Sequence, residues 1–187
     1  MKKNIYAVIL IVVILGSLLQ FGSLARGVSF LAQETQANEP VLESINAPQM
    51  GNGFKPIRIT AEKIGLDLAV TSVALKNGTW QVNPGVANFA EGTSLVNDKE
   101  GNVGIFAHDN EQGFSKIKGL AAGDLILISG DHDKATYKVS KLAIANPIEV
   151  DVYYATKLPQ LTLVTCDGLF SEKRFVLTAD LVKIESI

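Results

Sequence analysis

The sequence predicts an all-β domain, and three observations carry that prediction. From Lys55 onward, short runs rich in Val, Ile, Leu and Thr recur with turn residues between them, the composition and length of pleated strands. Few stretches repeat apolar residues at the three-to-four spacing of an amphipathic helix. Eight such runs in the length of one domain call for a barrel or a sandwich.

Taken in order, the strand candidates are residues 57–60, 68–73, 79–82, 103–107, 124–129, 135–144, 161–165 and 174–184. Lys76-Asn77-Gly78 and Gly130-Asp131-His132-Asp133 read as turns, the second joining two strong strands as a hairpin. Residues 88–98 read as irregular or briefly helical. Phe114, Ile117 and Leu120 stand three apart, which predicts one helical turn packed on the sheet. The link from 145 to 160 carries Pro147, Pro159 and the pair Tyr153-Tyr154.

The N-terminal third is different. Residues 1–4 are a short basic start, and 5–25 are almost wholly apolar and uncharged. A helix of some twenty residues rises about 30 Å, enough to cross a bilayer core. Lys2 and Lys3 before it predict the N-terminus inside and the rest outside. Ser23-Leu24-Ala25 has the small residues of a signal-peptide cleavage site, but the run exceeds the usual apolar core of such peptides. A single-pass transmembrane signal anchor is therefore expected. Residues 26–54, polar and aperiodic over Gln33 to Pro40 and glycine-rich near their end, read as an extracytoplasmic linker. The domain proper is 55–187.

Hydrophobic residues make up 47% of the chain and the formal charge is −2. That suffices for a core and lacks the basic bias of a protein that binds along nucleic-acid phosphates. One cysteine excludes an internal disulfide.

That cysteine, Cys166, ends the run Leu161-Thr162-Leu163-Val164-Thr165-Cys166. Arg174 opens the next strand, and His108, one of two histidines, ends the strand at 103–107. A thiol, an imidazole and a guanidinium at strand ends make a candidate nucleophilic site. Each has a plainer reading: a buried small hydrophobe for Cys166, a surface turn for His108, and Lys173 as a rival cation to Arg174. His132, in a polar turn, reads as solvated.

Thr162-Leu163-Val164-Thr165-Cys166 fits the pattern TLxTC at every defined position, and in this the chain resembles the sortases, the cysteine transpeptidases of bacterial cell envelopes. The resemblance runs from about Pro56 to Ile184. It takes in Pro56-Ile57-Arg58-Ile59, the Gly101-to-His108 strand, Phe114 and Gly123-Asp124. It implies an eight-stranded sortase-like β-barrel, so that 55–187 is a catalytic domain at the outer face of the cell membrane. It implies that Cys166 attacks the threonyl carbonyl of an LPxTG-like sorting signal, that His108 protonates the departing amine and that Arg174 steadies the oxyanion or the substrate backbone. A thioester acyl-enzyme then passes to an amine, from a peptidoglycan precursor or a pilin lysine, so that sorting-signal-bearing surface proteins are the expected partners. Thr165, Tyr153 and Tyr154 would line the peptide groove, with packing of the loop as the alternative for the tyrosines.

The chemistry is consistent with those residue types. The thiolate is the nucleophile and needs a proton acceptor or a positive neighbour. An imidazolium suits the leaving amine, and a guanidinium suits an oxyanion. Ala107 and Asp109 flank His108 where many sortases have Gly and Arg. Asp109 favours a charged imidazole if close and is neutral to it if turned to solvent. No cofactor is expected, and no metal: two separated histidines and one cysteine lack zinc-site spacing. Glu91, Asp98 and Glu100 are near one another but lack the alternation of a calcium loop. A hydrolytic cysteine protease and a non-catalytic envelope domain with a structural thiol are the competing readings.

Overall fold

The computed structural model describes residues 53–149 and 151–187. The basic start, the anchor at 5–25 and nearly all of the linker lie outside the described residues.

Branched and aromatic residues with polar partners at every second position make strands here, because one face can be buried while the other meets water. β1 (Arg58–Ala61), β2 (Leu66–Val73) and β7 (Leu125–Ser129) all follow this alternation. The remaining strands are β3 (Leu75–Lys76), β4 (Thr79–Trp80), β5 (Ala87–Ala90), β6 (Asn102–Phe106), β8 (Asp133–Ala145), β9 (Gln160–Asp167) and β10 (Lys173–Ser186). Eight of them close a barrel in the order β1-β2-β5-β6-β9-β10-β8-β7. Closure leaves no free sheet edge. Two neighbours are parallel, β2 with β5 and β6 with β9; the rest are antiparallel. The core inside includes Ile59, Phe89, Ile105, Ile126, Ile128, Tyr137, Leu163 and Leu177.

Two sequence expectations need correction. Residues 79–82 are not a barrel strand: only Thr79 and Trp80 pair, with β3, in a small separate hairpin. Asn77 and Gly78 both have positive φ, 51° and 72°, as the two central residues of a tight hairpin turn require. The barrel's missing member is β5, all but its first residue inside the stretch 88–98 expected to be irregular or briefly helical. Ala87, Asn88, Phe89 and Ala90 are all buried, so the alternation that marks a half-exposed strand is absent.

Other expectations hold. Gly130 donates to Asp133 O at 2.8 Å across the β7–β8 turn. Phe114, Ile117 and Leu120 are buried, on and beside a 3₁₀ turn at Ser115–Gly119. A second 3₁₀ turn, Asp151–Tyr153, lies in the long link before β9. At the linker's end, Phe54 exchanges two backbone bonds with Val96, each 3.0 Å.

Candidate active site

The site is built where β6, β9 and β10 end side by side. β9 and β10 are antiparallel neighbours, and their register sets Arg174 directly opposite Cys166. Lys173 pairs with Asp167 instead. Alternate residues face opposite sides of a sheet, and Arg174, not Lys173, lines the cavity with Cys166. The loop between the strands is short. Gly168 takes φ 86°, and a side chain there would collide with the Glu172 carboxylate. That carboxylate accepts the Phe170 N–H at 3.0 Å. Arg174 Nη1 donates to the carbonyls of Ser171 and Lys173, both at 2.9 Å. A guanidinium has five donors, so the arginine holds its loop and keeps capacity for a ligand.

His108 comes from the parallel neighbour on the other side. The β6–β9 register ends with Phe106 opposite Val164. Ala107 N–H extends it to Val164 O at 3.2 Å. His108 follows two residues beyond Phe106 and Cys166 two residues beyond Val164, and both line the same cavity. Its carbonyl accepts the Phe114 N–H at 2.7 Å, and Gly113 packs so closely on that carbonyl that a Cβ would not fit. His108 is exposed and Cys166 partly so, so a substrate can reach both.

One wall comes from a part of the chain with no strand in the barrel. Trp80 of the β3–β4 hairpin meets Tyr153 edge-on, with centroids 5.4 Å apart and planes at 70°, a favourable aromatic geometry. Trp80 also approaches Phe106 at 6.4 Å, and its indole N–H donates to Glu91 O at 3.1 Å. Tyr153 is placed by its own 3₁₀ turn, which Asn102 ties down through Nδ2 to Val152 O at 2.9 Å. The tyrosine ring lies on Gly104, with Cδ1 2.6 Å from where a Cβ would stand. Burial pushes the Tyr153 hydroxyl's pKa up, and the Arg174 charge opposes that.

The resulting cavity is about 290 Å³ and is mostly apolar. Trp80, Val82, Phe106, Val152, Tyr153 and Val176 surround Cys166, His108 and Arg174. Thr165 also lines it, but its hydroxyl donates to Ala107 O at 2.9 Å and so joins the two strands. Tyr154 is not among the lining residues; its N–H donates to Asp151 O at 3.0 Å within the turn.

Just outside, Lys118 Nζ lies 2.8 Å from both Asp109 Oδ2 and Asp167 Oδ1. The Lys118 hydrogen bond holds the Asp167 carboxyl below its usual pKa range. The bonds to Asp109 and then Asp167 raise the lysine's own pKa. Asp109 is therefore turned to Lys118. Among the described residues no group of three His, Cys, Asp or Glu side chains is placed to hold a metal ion. Glu91 instead faces Lys55 at 3.5 Å, and Asp98 faces Lys99 at 3.5 Å.

Sequence reasoning missed Trp80 and Lys118. A single tryptophan directly after Asn77-Gly78-Thr79 was a usable signal, since a tight hairpin presents its flanking aromatic to whatever it packs on. Lys118, between the buried Ile117 and Leu120, had none.

A thiol, an imidazole and a guanidinium around one apolar, peptide-sized cavity are equipped for acyl transfer. Comparison with known proteins agrees with that chemistry. The family model described as the sortase domain matches residues 59–182. The chain belongs to the sortase family. Among solved structures, sortase A of Listeria monocytogenes is similar at 25% identity and a TM-score of 0.61, covering 71% of this chain and 90% of that one. Sortase E1 of Streptomyces coelicolor, solved with a tripeptide in the active site, is 20% identical with a TM-score of 0.61 over 72% and 90%. The pilus-related sortase C of Group B Streptococcus is 24% identical with a TM-score of 0.60 over 69% and 68%. No curated protein matches the chain. Within the sortase barrel, then, Cys166 and Arg174 lie at the paired ends of β9 and β10, and His108 lies just beyond the end of the neighbouring β6.

Proposed function

We propose that this sortase is a membrane-anchored cysteine transpeptidase in which Cys166, His108 and Arg174 perform the chemistry. The observation that carries the reading is the pairing of Cys166 with Arg174 across β9 and β10, with His108 two residues beyond the end of β6, all three lining one cavity. Cys166 Sγ attacks the carbonyl carbon of an LPxTG-like peptide, between threonine and glycine. Arg174 donates to the oxyanion. His108 gives a proton to the glycine amine as the C–N bond breaks, leaving a thioester. An amine then attacks the thioester and loses its proton to His108, and Cys166 is released as the thiolate, which restores the starting pair. The apolar walls from Trp80, Val82 and Tyr153 suit the leucine and proline of such a signal.

The competent pair is thiolate with imidazolium, and its rate follows a bell-shaped pH profile set by the two groups together. The uncharged segment at 5–25 anchors the enzyme in the membrane with the barrel outside, near its substrates. These are surface proteins bearing the sorting signal, and the acceptor is a peptidoglycan-precursor amine or a pilin lysine.

Intact mass spectrometry on residues 33–187, with a small library of LPxTG-like peptides, tests this. A mass added at Cys166 and then a peptide–triglycine product are expected. Cys166→Ala should lose both while keeping the barrel's circular dichroism. Release of peptide by water alone, with triglycine present, would favour a protease. A Cys166→Ala protein that still forms product would remove the assignment.

A further inference from the structure

His108 and Cys166 are each followed by an aspartate, and one lysine reaches both carboxylates. Lys118 projects from the 3₁₀ turn at Ser115–Gly119, which the buried Phe114 and Ile117 fix to the barrel. Its side chain is 32% exposed and those of Asp109 and Asp167 are 29%, so water only partly shields the cluster. Exposed ion pairs contribute little to stability, but this one sits at a particular place. The β6–β9 ladder stops at Phe106 and Val164. Only the Ala107 N–H and the Thr165 hydroxyl link the strands just beyond. The ammonium carries the connection past His108 and Cys166.

We propose that Lys118 is a positioning residue: through Asp109 and Asp167 it ties together the chain just beyond His108 and Cys166 and offsets the charge of both carboxylates. The inference rests on the catalytic reading of that pair. Without the ammonium, two unopposed carboxylates would flank the site. They would repel each other, favour an imidazolium and disfavour a thiolate. The other charged groups at this end are Arg174 and Glu149 on the cavity wall, with Lys173 and Glu172 near Asp167 on the β10 side.

The test reads the two side chains without substrate. Cys166 is the sole thiol and His108 one of two histidines. The rate of iodoacetamide alkylation and the imidazole NMR shift are followed across pH in wild type, Lys118→Met, Lys118→Arg and Asp167→Asn. Lys118→Met should move both midpoints to higher pH by roughly half a unit, the effect of one charge lost at near-surface range. Asp167→Asn should move both to lower pH, Lys118→Arg should match wild type, and His132 should stay still. A lysine that only stiffens the loop would not give opposed shifts. Unchanged midpoints in folded Lys118→Met, or shifts of one sign in Lys118→Met and Asp167→Asn, overturn the inference. Asp167→Asn supplies the signed test alone should Lys118→Met not fold. Peptide transfer is measured separately on wild type. Opposed shifts in a protein that transfers nothing would support the clamp while refuting the catalytic reading.

Discussion

Substituting Gly104 by alanine should displace Tyr153, because the tyrosine ring rests on the bare backbone of β6. The new Cβ would stand 2.6 Å from Tyr153 Cδ1, 3.0 Å from Cε1 and 3.0 Å from Thr93 Cγ2. Carbon atoms pack at about 3.5–4.0 Å, so the ring must withdraw by about 1 Å. Overpacking of this kind costs about 1–3 kcal/mol. Gly104 does not have a left-handed φ, so alanine also recovers about 0.4–1 kcal/mol by restricting the unfolded chain. The net loss is about 1–2 kcal/mol, or roughly 4–8 °C in Tm for a domain of this length. A ring pushed away from Gly104 toward Trp80 narrows the cavity that both line, so KM for the peptide should rise more than kcat falls. The assay is a double-mutant cycle in chemical denaturation: wild type, Gly104→Ala, Tyr153→Ala and the double variant. With the ring gone, alanine at 104 should be near neutral, giving a coupling energy of about 1 kcal/mol or more. A Gly104→Ala protein as stable as wild type would refute the reasoning. So would an equal loss in the Tyr153→Ala background.

Three further outcomes are expected. Asn88→Ala should destabilise by roughly 2–4 kcal/mol in urea melts, since its buried amide accepts from Asn83 N–H and donates to the carbonyls of Asn83, Val86 and Phe106. The hydrogen bond from Lys63, and next that from the Ala121 N–H, hold the Asp124 carboxyl below its ordinary pKa. A lowered folded pKa gives stability that is present above the unfolded value near 4 and is lost as pH falls through the folded value. Asp124→Asn should therefore lower Tm at pH 7 and make the acid limb of a Tm–pH curve shallower. EDTA should leave turnover unchanged and added calcium should not raise it; a calcium-dependent rate would send attention back to Glu91, Asp98 and Glu100.

Much of the barrel was legible because most of its strands are half-exposed. Arg58-Ile59-Thr60-Ala61 and the Leu125–Ser129 run announce themselves by alternation. β5 did not, because Ala87–Ala90 is covered on both faces and two alanines carry no strand preference of their own. Thr79-Trp80-Gln81-Val82 looked like a strand from its residue types. The tight turn before it instead spends the segment in a hairpin that walls the cavity. The three candidate catalytic side chains could be named from residue type and motif. Arg174 stands opposite Cys166 through the pairing of two strands close in sequence, but the placing of His108, just beyond the end of β6, on the same cavity depends on register between segments more than fifty residues apart, which no local pattern encodes. Lys118 was hidden for the same reason, since its partners are Asp109 and Asp167 rather than anything on its own turn.

The place of β10 in the barrel has a consequence for biosynthesis. This strand sits between β9 and β8 and pairs with β8 from Arg174 to Ser186. A ribosome delivers β1 to β9 before it, and without β10 those strands can form only an open sheet, in which Cys166 lacks its opposite guanidinium. The pairing of Arg174 with Cys166 arrives with the insertion of that one strand, and a chain stopped before Lys173 leaves the sheet open between β9 and β8.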